Sequence, residues 1–260
     1  MAIWALITGA SEGLGREFAI LAAKAGFDVI LTARQEDKLQ NLAHELQRAY
    51  HVSTLVLPAD LSDPEAVEQL WLDASAGRQI GVLVNNAGLG RNGSFADETN
   101  WPREAASISV NIVAASILMK RAVAHMVGHG SGRVLNVAST AAFMAGPNMA
   151  VYHATKAYLL SLSEAVATEL RGSGVTVTAL CPGATDTDFF AADEAVKATL
   201  ITKMGLASAE TVAASGWTAM EKGKRVDVPG IANKVFATLP RFAPRSFVAW
   251  TAAQFLKRRR

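Results

Sequence analysis

Six short, mostly nonpolar runs recur along the chain, with longer stretches of helical character between them: Ile3 to Ile7, Val29 to Thr32, Thr54 to Leu57, Val82 to Val84, Val134 to Val137 and Val175 to Leu180. Within each run the residues are nonpolar one after another and do not alternate with polar ones. That pattern marks strands buried on both faces, as in a sheet covered by helices on either side. Strand and helix in alternation predict an α/β fold with a doubly wound parallel β-sheet of Rossmann type and right-handed crossovers. The segment from Ala154 to Leu170 is rich in Ala, Leu, Glu and Lys and free of proline, so it predicts a helix that Gly172 and Gly174 end. Another helix is expected from Gly15 to Ala25, and a strand over Phe27 to Ala33 follows it. With 260 residues and no repeat, low-complexity tract or linker, the chain is expected to form one domain.

Composition adds mainly exclusions. The only cysteine, Cys181, rules out an intramolecular disulfide, and its place at the end of an apolar strand reads as a buried thiol instead of a nucleophile. His44, His51, His125, His129 and His153 are dispersed, so no metal centre is expected. His125 and His129 suit a helix C-terminus near Gly128 and Gly130, and His153 is expected to face away from its neighbour Tyr152. Met1-Ala2-Ile3-Trp4 runs directly into the first strand, leaving no room for a signal peptide, and no apolar run approaches the roughly 18 residues of a spanning helix. A cytoplasmic location is the resulting expectation. The formal charge of +2 conceals an asymmetry: after Asp227 there are seven basic residues and no acidic one, so the first 227 residues carry −5.

Candidate chemistry lies in two places far apart in the chain. After the first strand comes Thr8-Gly9-Ala10-Ser11-Glu12-Gly13-Leu14-Gly15, and then a helix. Glycines at 9, 13 and 15 permit a tight turn and close approach of backbone to a ligand, while the helix points its first amides into the turn, which suits a pyrophosphate. The glycine spacing, three residues then one, departs from the common dinucleotide fingerprint. Arg34, nineteen residues after Gly15, suits the 2′-phosphate of NADP(H); an acidic residue there would favour the ribose hydroxyls of NAD(H). Glu36 and Asp37 keep NAD(H) open, and Glu12 places an anion near the phosphates. The second place is Tyr152, with Lys156 four residues on and Ser139 thirteen residues before. Four residues apart on a helix share a face, so the ammonium is expected beside the phenol, lowering its pKa from about 10 towards the range of acid-base catalysis. Ser139 is placed to hydrogen-bond a substrate oxygen, with Thr140 as a competitor for that role.

With both sets in view, the chain from residue 2 to about 190 resembles the compact, single-domain branch of the short-chain dehydrogenase/reductase family. The resemblance rests on the loop from Thr8, on Asp60, on Asn85-Asn86-Ala87-Gly88, and on Asn111, Ser139, Tyr152, Lys156 and Pro182-Gly183, in that order and spacing. It implies that Gly9, Ser11, Gly13, Leu14 and Gly15 hold the cofactor pyrophosphate, that Asp60 meets the adenine, and that Asn86, Ala87 and Gly88 line the ribose. Pro182, Gly183, Thr185 and Thr187 complete the implied cofactor site, with Thr187 at the nicotinamide carboxamide. Asn111 is implied to kink its helix and hold a water that links Lys156 to solvent. The implied reaction is hydride transfer between NADP(H) and a carbonyl or secondary alcohol, with Tyr152 as general acid/base and Lys156 also binding the nicotinamide ribose. A homodimer or homotetramer is implied too. Too little chain follows the sixth strand for the sugar-nucleotide domain of the family's epimerases and dehydratases.

By the same resemblance Ala184 to Gly223 forms a substrate lid. Phe189, Phe190, Leu200, Ile201, Met204, Leu206, Trp217 and Met220 would wall a pocket, pack the lid onto the core, or both, and Phe143, Met144 and Met149 would lie near that pocket. A small apolar carbonyl or alcohol is therefore the expected substrate, with steroid-like ketones, 3-oxoacyl thioesters and xenobiotic ketones all open. The tail from 244 to 260 combines Phe247, Val248, Trp250, Phe255 and Leu256 with a basic end. It reads either as an amphipathic helix at the periphery of an anionic membrane or as a helix docked on the domain or a sister subunit. Nucleic acid is not an expected partner, because the positive charge is confined to the end. The competing function is a non-catalytic NADP(H)-sensing or scaffold protein on the same fold. The joint presence of Asn111, Ser139, Tyr152 and Lys156 favours catalysis, since a binder needs the loop but no proton relay.

Overall fold

A computed structural model describes residues 2–187 and 206–256. Phe189, Phe190, Leu200, Ile201 and Met204, expected in the lid, and the basic run from Lys257 lie outside the described residues. The chain builds β1 (Ile3–Thr8), α1 (Gly13–Lys24), β2 (Asp28–Thr32), α2 (Glu36–Tyr50), β3 (Thr54–Val56), α3 (Pro64–Ser75) and β4 (Gln79–Asn85). It continues through α4 (Trp101–Ile108), a π-helical turn over Ser109–Ala114, α5 (Ala115–Gly128), β5 (Gly132–Val137), α6 (Ala150–Glu169) and β6 (Val175–Leu180). A two-residue pair, β7 (Thr185–Asp186) and β8 (Ala207–Ser208), then leads to α7 (Ala209–Glu221), β9 (Val226–Asp227), α8 (Ile231–Thr238) and α9 (Arg245–Leu256).

The main sheet is parallel throughout, in the order β3-β2-β1-β4-β5-β6-β9. All six expected strands are in it. The seventh, β9, is only two residues long, too short to leave a periodic signal. From β1 the chain moves outward to β3, then returns to β4 and moves the other way, so the loops after β1 and β4 part and open a crevice at the carboxyl ends of the strands.

Successive residues of each strand serve opposite layers. On one side Phe18 of α1, Leu39 and Leu46 of α2, and Trp217 and Met220 of α7 pack with Ala5, Ile7, Val29, Leu31, Val82 and Val84. On the other, Leu70 and Trp71 of α3 and Leu118 and Met126 of α5 pack with Leu6, Ile30, Leu83, Val134 and Val177. Both faces of the sheet are thus dry, which is why the strands read as unbroken apolar runs. Trp217 and Met220 belong to this packing and not to the cleft: the Trp217 ring meets Phe27 edge-on at 6.2 Å, and its Nε1 donates to Glu221 at 3.0 Å.

The helical stretch Glu98–Gly128 is, contrary to the sequence expectation, long and apolar enough to span a membrane by length and composition. A search for unbroken apolar runs passes over it because Ser109, Asn111 and Ser116 interrupt it. In the fold its Val110, Ala114, Leu118, Ala122 and Met126 are buried in the second layer.

Candidate active site

A cleft of about 700 Å³ opens at the carboxyl ends of the strands, and the catalytic and cofactor-binding residues expected in the site line it except Gly15 and Asn111, which stand behind the lining. At one end it is made of backbone. Gly9 has φ +64°, and a Cβ on it would stand 2.9 Å from Asn86 Nδ2; a Cβ on Gly15 would collide with the Gly9 carbonyl oxygen. Asn86 locks this turn to β4: its Nδ2 donates to Thr8 O at 2.9 Å, and the Asn86 and Ala87 amides both donate to Thr8 Oγ1 at 2.9 Å. The Thr8 hydroxyl donates in turn to Val84 O at 3.3 Å, so its full hydrogen-bonding capacity is used. The N-terminus of α1 opens onto the cleft through Ser11, Glu12, Gly13 and Leu14, with no acidic side chain in its first turn. A turn shaped by glycines beside helix amides fits a pyrophosphate.

Arg34 and Asp60, from the ends of β2 and β3, flank that cradle. The Ser62 amide and hydroxyl donate to Asp60 Oδ1 at 2.9 and 2.8 Å, and with Arg34 nearby they hold the carboxyl below its ordinary range. Glu12, which by sequence put an anion near the phosphates, is paired with Lys38 Nζ at 2.8 Å. Sequence reasoning missed Lys38, because the pairing exists only where the starts of α1 and α2 come together. Asn86, Ala87, Gly88, Pro182, Gly183, Thr185 and Thr187 continue the wall, and the Thr187 methyl would lie 3.1 Å from a Cβ on Gly13. The chain therefore presents a continuous dinucleotide-shaped lining.

The other half is built on α6, whose buried side carries Tyr152, Thr155, Lys156, Leu159, Leu160 and Ser163 at helical spacing. Ser139, just after β5, caps a 3₁₀ turn by accepting from the Ala141 amide at 3.1 Å, and its hydroxyl hydrogen-bonds Tyr152. Thr140 also lines the cleft, but the bond to the phenol belongs to Ser139. Lys156 Nζ donates to Val137 O at 2.8 Å and lies 5.8 Å from the centre of the Tyr152 ring. Asn111 sits in the π-helical turn, where its Oδ1 accepts from Leu89 N at 2.8 Å and its Nδ2 donates to Leu89 O at 2.8 Å and Thr155 Oγ1 at 2.9 Å. These bonds tie the distorted turn to the loop after β4 and to α6, a use typical of π-bulges at functional sites. A Cβ on Gly88 would stand 3.3 Å from Lys156 Nζ and 3.4 Å from Asn111 Oδ1, so the two groups converge there.

The electrostatics differ from the sequence expectation. Burial pushes the Tyr152 phenol up to about 12, only partly opposed by the Ser139 hydrogen bond, and burial brings the Lys156 ammonium down to about 8. Both shifts have one cause: each group is out of water, and a low-dielectric surrounding disfavours its charged form. Lys156 Nζ is directed at the Val137 carbonyl, and burial, not the ammonium, dominates the shift of the phenol. Tyr152 therefore keeps its proton at neutral pH.

His153 does not turn away. It is buried, lines the cleft, meets the Tyr152 ring edge-on at 6.1 Å and makes a 2.9 Å Nδ1 bond to Met144 O. Met144 and Met149 line the cleft as expected, whereas Phe143 packs with Ala138, Leu160 and Cys181. Burial pushes the Cys181 thiol up to about 12, consistent with a structural role. His129 bonds His125 O at 2.8 Å, and His125 Nε2 accepts the Ile80 amide at 3.1 Å, at the end of α5.

One group of residues escaped the sequence reading, and a second was foreseen only in part, as a tail helix docked on the domain, on a sister subunit or at a membrane. Asn136, Ser163 and Thr155 form buried polar links: Asn85 Nδ2 donates to Asn136 Oδ1 at 3.0 Å, and Asn136 Nδ2 to Ser163 Oγ at 2.8 Å. A lone asparagine in the run Val134–Val137 was the available signal. The second group closes the cleft from the C-terminal side: Phe236 of α8 and Ala252 and Leu256 of α9 line it, and Leu256 packs with Ala141, Met149 and Tyr152. The tail helix thus docks on its own chain.

Comparison with known proteins accords with this geometry. The profile describing short chain dehydrogenases matches residues 3–197. A very-long-chain 3-oxoacyl-CoA reductase of Laccaria bicolor is 38% identical over 177 residues, 67% of this chain and 52% of that protein. A 7beta-hydroxysteroid dehydrogenase of Collinsella aerofaciens is 36% identical over 182 residues, 70% of this chain and 68% of that protein. The match thus spans only about half the length of the first relative. Among solved structures, a short-chain dehydrogenase from Sphingobium yanoikuyae in complex with NADPH superimposes with a TM-score of 0.82 at 28% identity, covering 90% of each chain.

Proposed function

Because the chain belongs to the short-chain dehydrogenase family, we propose that it is an NADP(H)-dependent oxidoreductase that interconverts a hydrophobic carbonyl compound and its secondary alcohol. The observation that carries this reading is a buried Tyr152, hydrogen-bonded to Ser139, on the wall of a cleft whose far end is the glycine cradle. A bound nicotinamide dinucleotide supplies or accepts the hydride. Tyr152 donates the proton that the reduced oxygen takes up, and Ser139 hydrogen-bonds that oxygen as its charge develops. Lys156, charged below about 8, favours the phenolate left behind, and Asn111 holds the turn beside it.

Arg34 at the adenosine end, with Glu12 neutralised by Lys38, supports NADP(H) over NAD(H). Met144, Met149, Phe236, Ala252 and Leu256 make the substrate wall apolar, and the relatives named for oxoacyl-CoA and hydroxysteroid substrates point to the same class.

The test is NADPH oxidation against a panel of steroid-like ketones and 3-oxoacyl thioesters, with NADH in parallel. Turnover is expected with NADPH favoured, and Tyr152→Phe is expected to lower it by about 10²- to 10⁴-fold. Tight NADPH binding with no turnover across the panel would replace this reading with that of a nucleotide sensor.

A further inference from the structure

Half of the large hydrophobic side chains that are exposed among the described residues fall between Ile231 and Trp250. Ile231, Val235 and Leu239 follow one another at four-residue intervals along α8 and the turn after it, and so share one side. Phe242, between the two helices, is 83% exposed. On α9 Phe247 and Trp250 are 55% and 60% exposed, and their rings stack with centroids 6.1 Å apart. Ala252 and Leu256, on the opposite side of α9, are buried in the cleft wall, as Phe236 of α8 lines it. Each helix therefore covers the cleft with one side and turns an apolar side outward. A cluster of this size marks an interaction surface and not random exposure.

Charge selects the partner. Lys234, Arg241 and Arg245 are exposed on the same two helices and their connection, no acidic residue follows Asp227, and the sequence continues into Lys257-Arg258-Arg259-Arg260. A second copy meeting this face about a two-fold axis would set like charges against like. An anionic headgroup layer would not, and aromatic rings among basic side chains are the composition of a surface that lies in that layer. We infer that the outer face of α8 and α9 docks on an anionic phospholipid membrane, with the C-terminal wall of the cleft directly behind the contact. The inference rests on exposure and charge, and it stands whether or not the proposed reaction does.

The experiment is co-sedimentation of the full chain with vesicles of phosphatidylcholine alone and of phosphatidylcholine mixed with phosphatidylglycerol. The chain is expected to sediment with the anionic vesicles only, and less as salt is raised. Phe247→Glu with Trp250→Glu, and separately Arg241→Glu with Arg245→Glu, are each expected to lower the bound fraction by about tenfold. The melting temperature should not change in either variant, because all four side chains are exposed. Absence of sedimentation at low salt overturns the inference, as does sedimentation that ignores both pairs of substitutions. If the chain binds no vesicles and runs as an assembly that Phe247→Glu with Trp250→Glu breaks, the face joins two copies and the membrane inference falls.

Discussion

At one end of the cleft, Gly9, Gly15, Thr8 and Asn86 shape the lining with backbone and three hydrogen bonds of 2.9 Å; at the other, Met144, Met149, Phe236, Ala252 and Leu256 shape it with nonpolar side chains from separate parts of the chain. The first end tolerates almost no substitution, because the neighbouring atom is a carbonyl or an amide that cannot move. The second asks only for nonpolar volume, which many sequences supply. Function at the first end is therefore written in motifs, whereas substrate choice at the second is not.

The sharpest way to break this comparison is Gly15→Val. Its side chain would collide with the Gly9 carbonyl, so nucleotide affinity, read by NADPH fluorescence titration, is expected to fall by more than about 100-fold. Unchanged binding would show that the turn yields as easily as a side-chain wall.

Lys156→Met tests the catalytic wall between the two ends. Reduction is expected to fall by about 10²- to 10⁴-fold. Stability should move the other way. The folded-state pKa of Lys156 is about 8 against an ordinary 10.5, so between those values the unfolded chain binds more protons and stability rises with pH. Below about 8 the cost of burying the ammonium is fully present, and removing it is expected to stabilise the chain by ~1–3 kcal/mol at pH 7. Urea denaturation at pH 7 and pH 10 checks this: the gain should shrink at the higher pH, and a variant less stable at pH 7 would refute it. In the unaltered chain, reduction should decline as pH rises through about 8, where Lys156 loses its charge while Tyr152 still holds its proton.

The smallest effect is expected at the apolar end. Leu256→Ala should change KM by about 3- to 10-fold, in favour of larger substrates, with little change in kcat. A loss in kcat as large as that of Lys156→Met would mean that the tail helix orders Tyr152 and does more than fill space beside it.

The sheet was legible because a strand buried on both faces has a local signature, and the glycine turn because only glycine fits it. The Tyr152, Lys156 and Ser139 set was legible because helical spacing places two of them on one side of α6. His153 was misjudged for a related reason: spacing gives its angle to Tyr152, but not that the segment reaching Met144 folds over it and buries that side too. Trp217 and Met220 were ambiguous between pocket and core, because an apolar helix does not reveal which neighbour covers it.

Sequence alone determined the parallel sheet, the phosphate-sized turn at its carboxyl edge and the residues that meet beside it, since each follows from contacts within a few residues or from a steric rule. Tertiary structure alone decided that burial raises the Tyr152 phenol, that Lys38 pairs with Glu12, and that α8 and α9 wall the cleft while presenting an apolar face outward. Those outcomes depend on which distant segments meet and on where water is shut out, and neither is recorded in the order of residues along the chain.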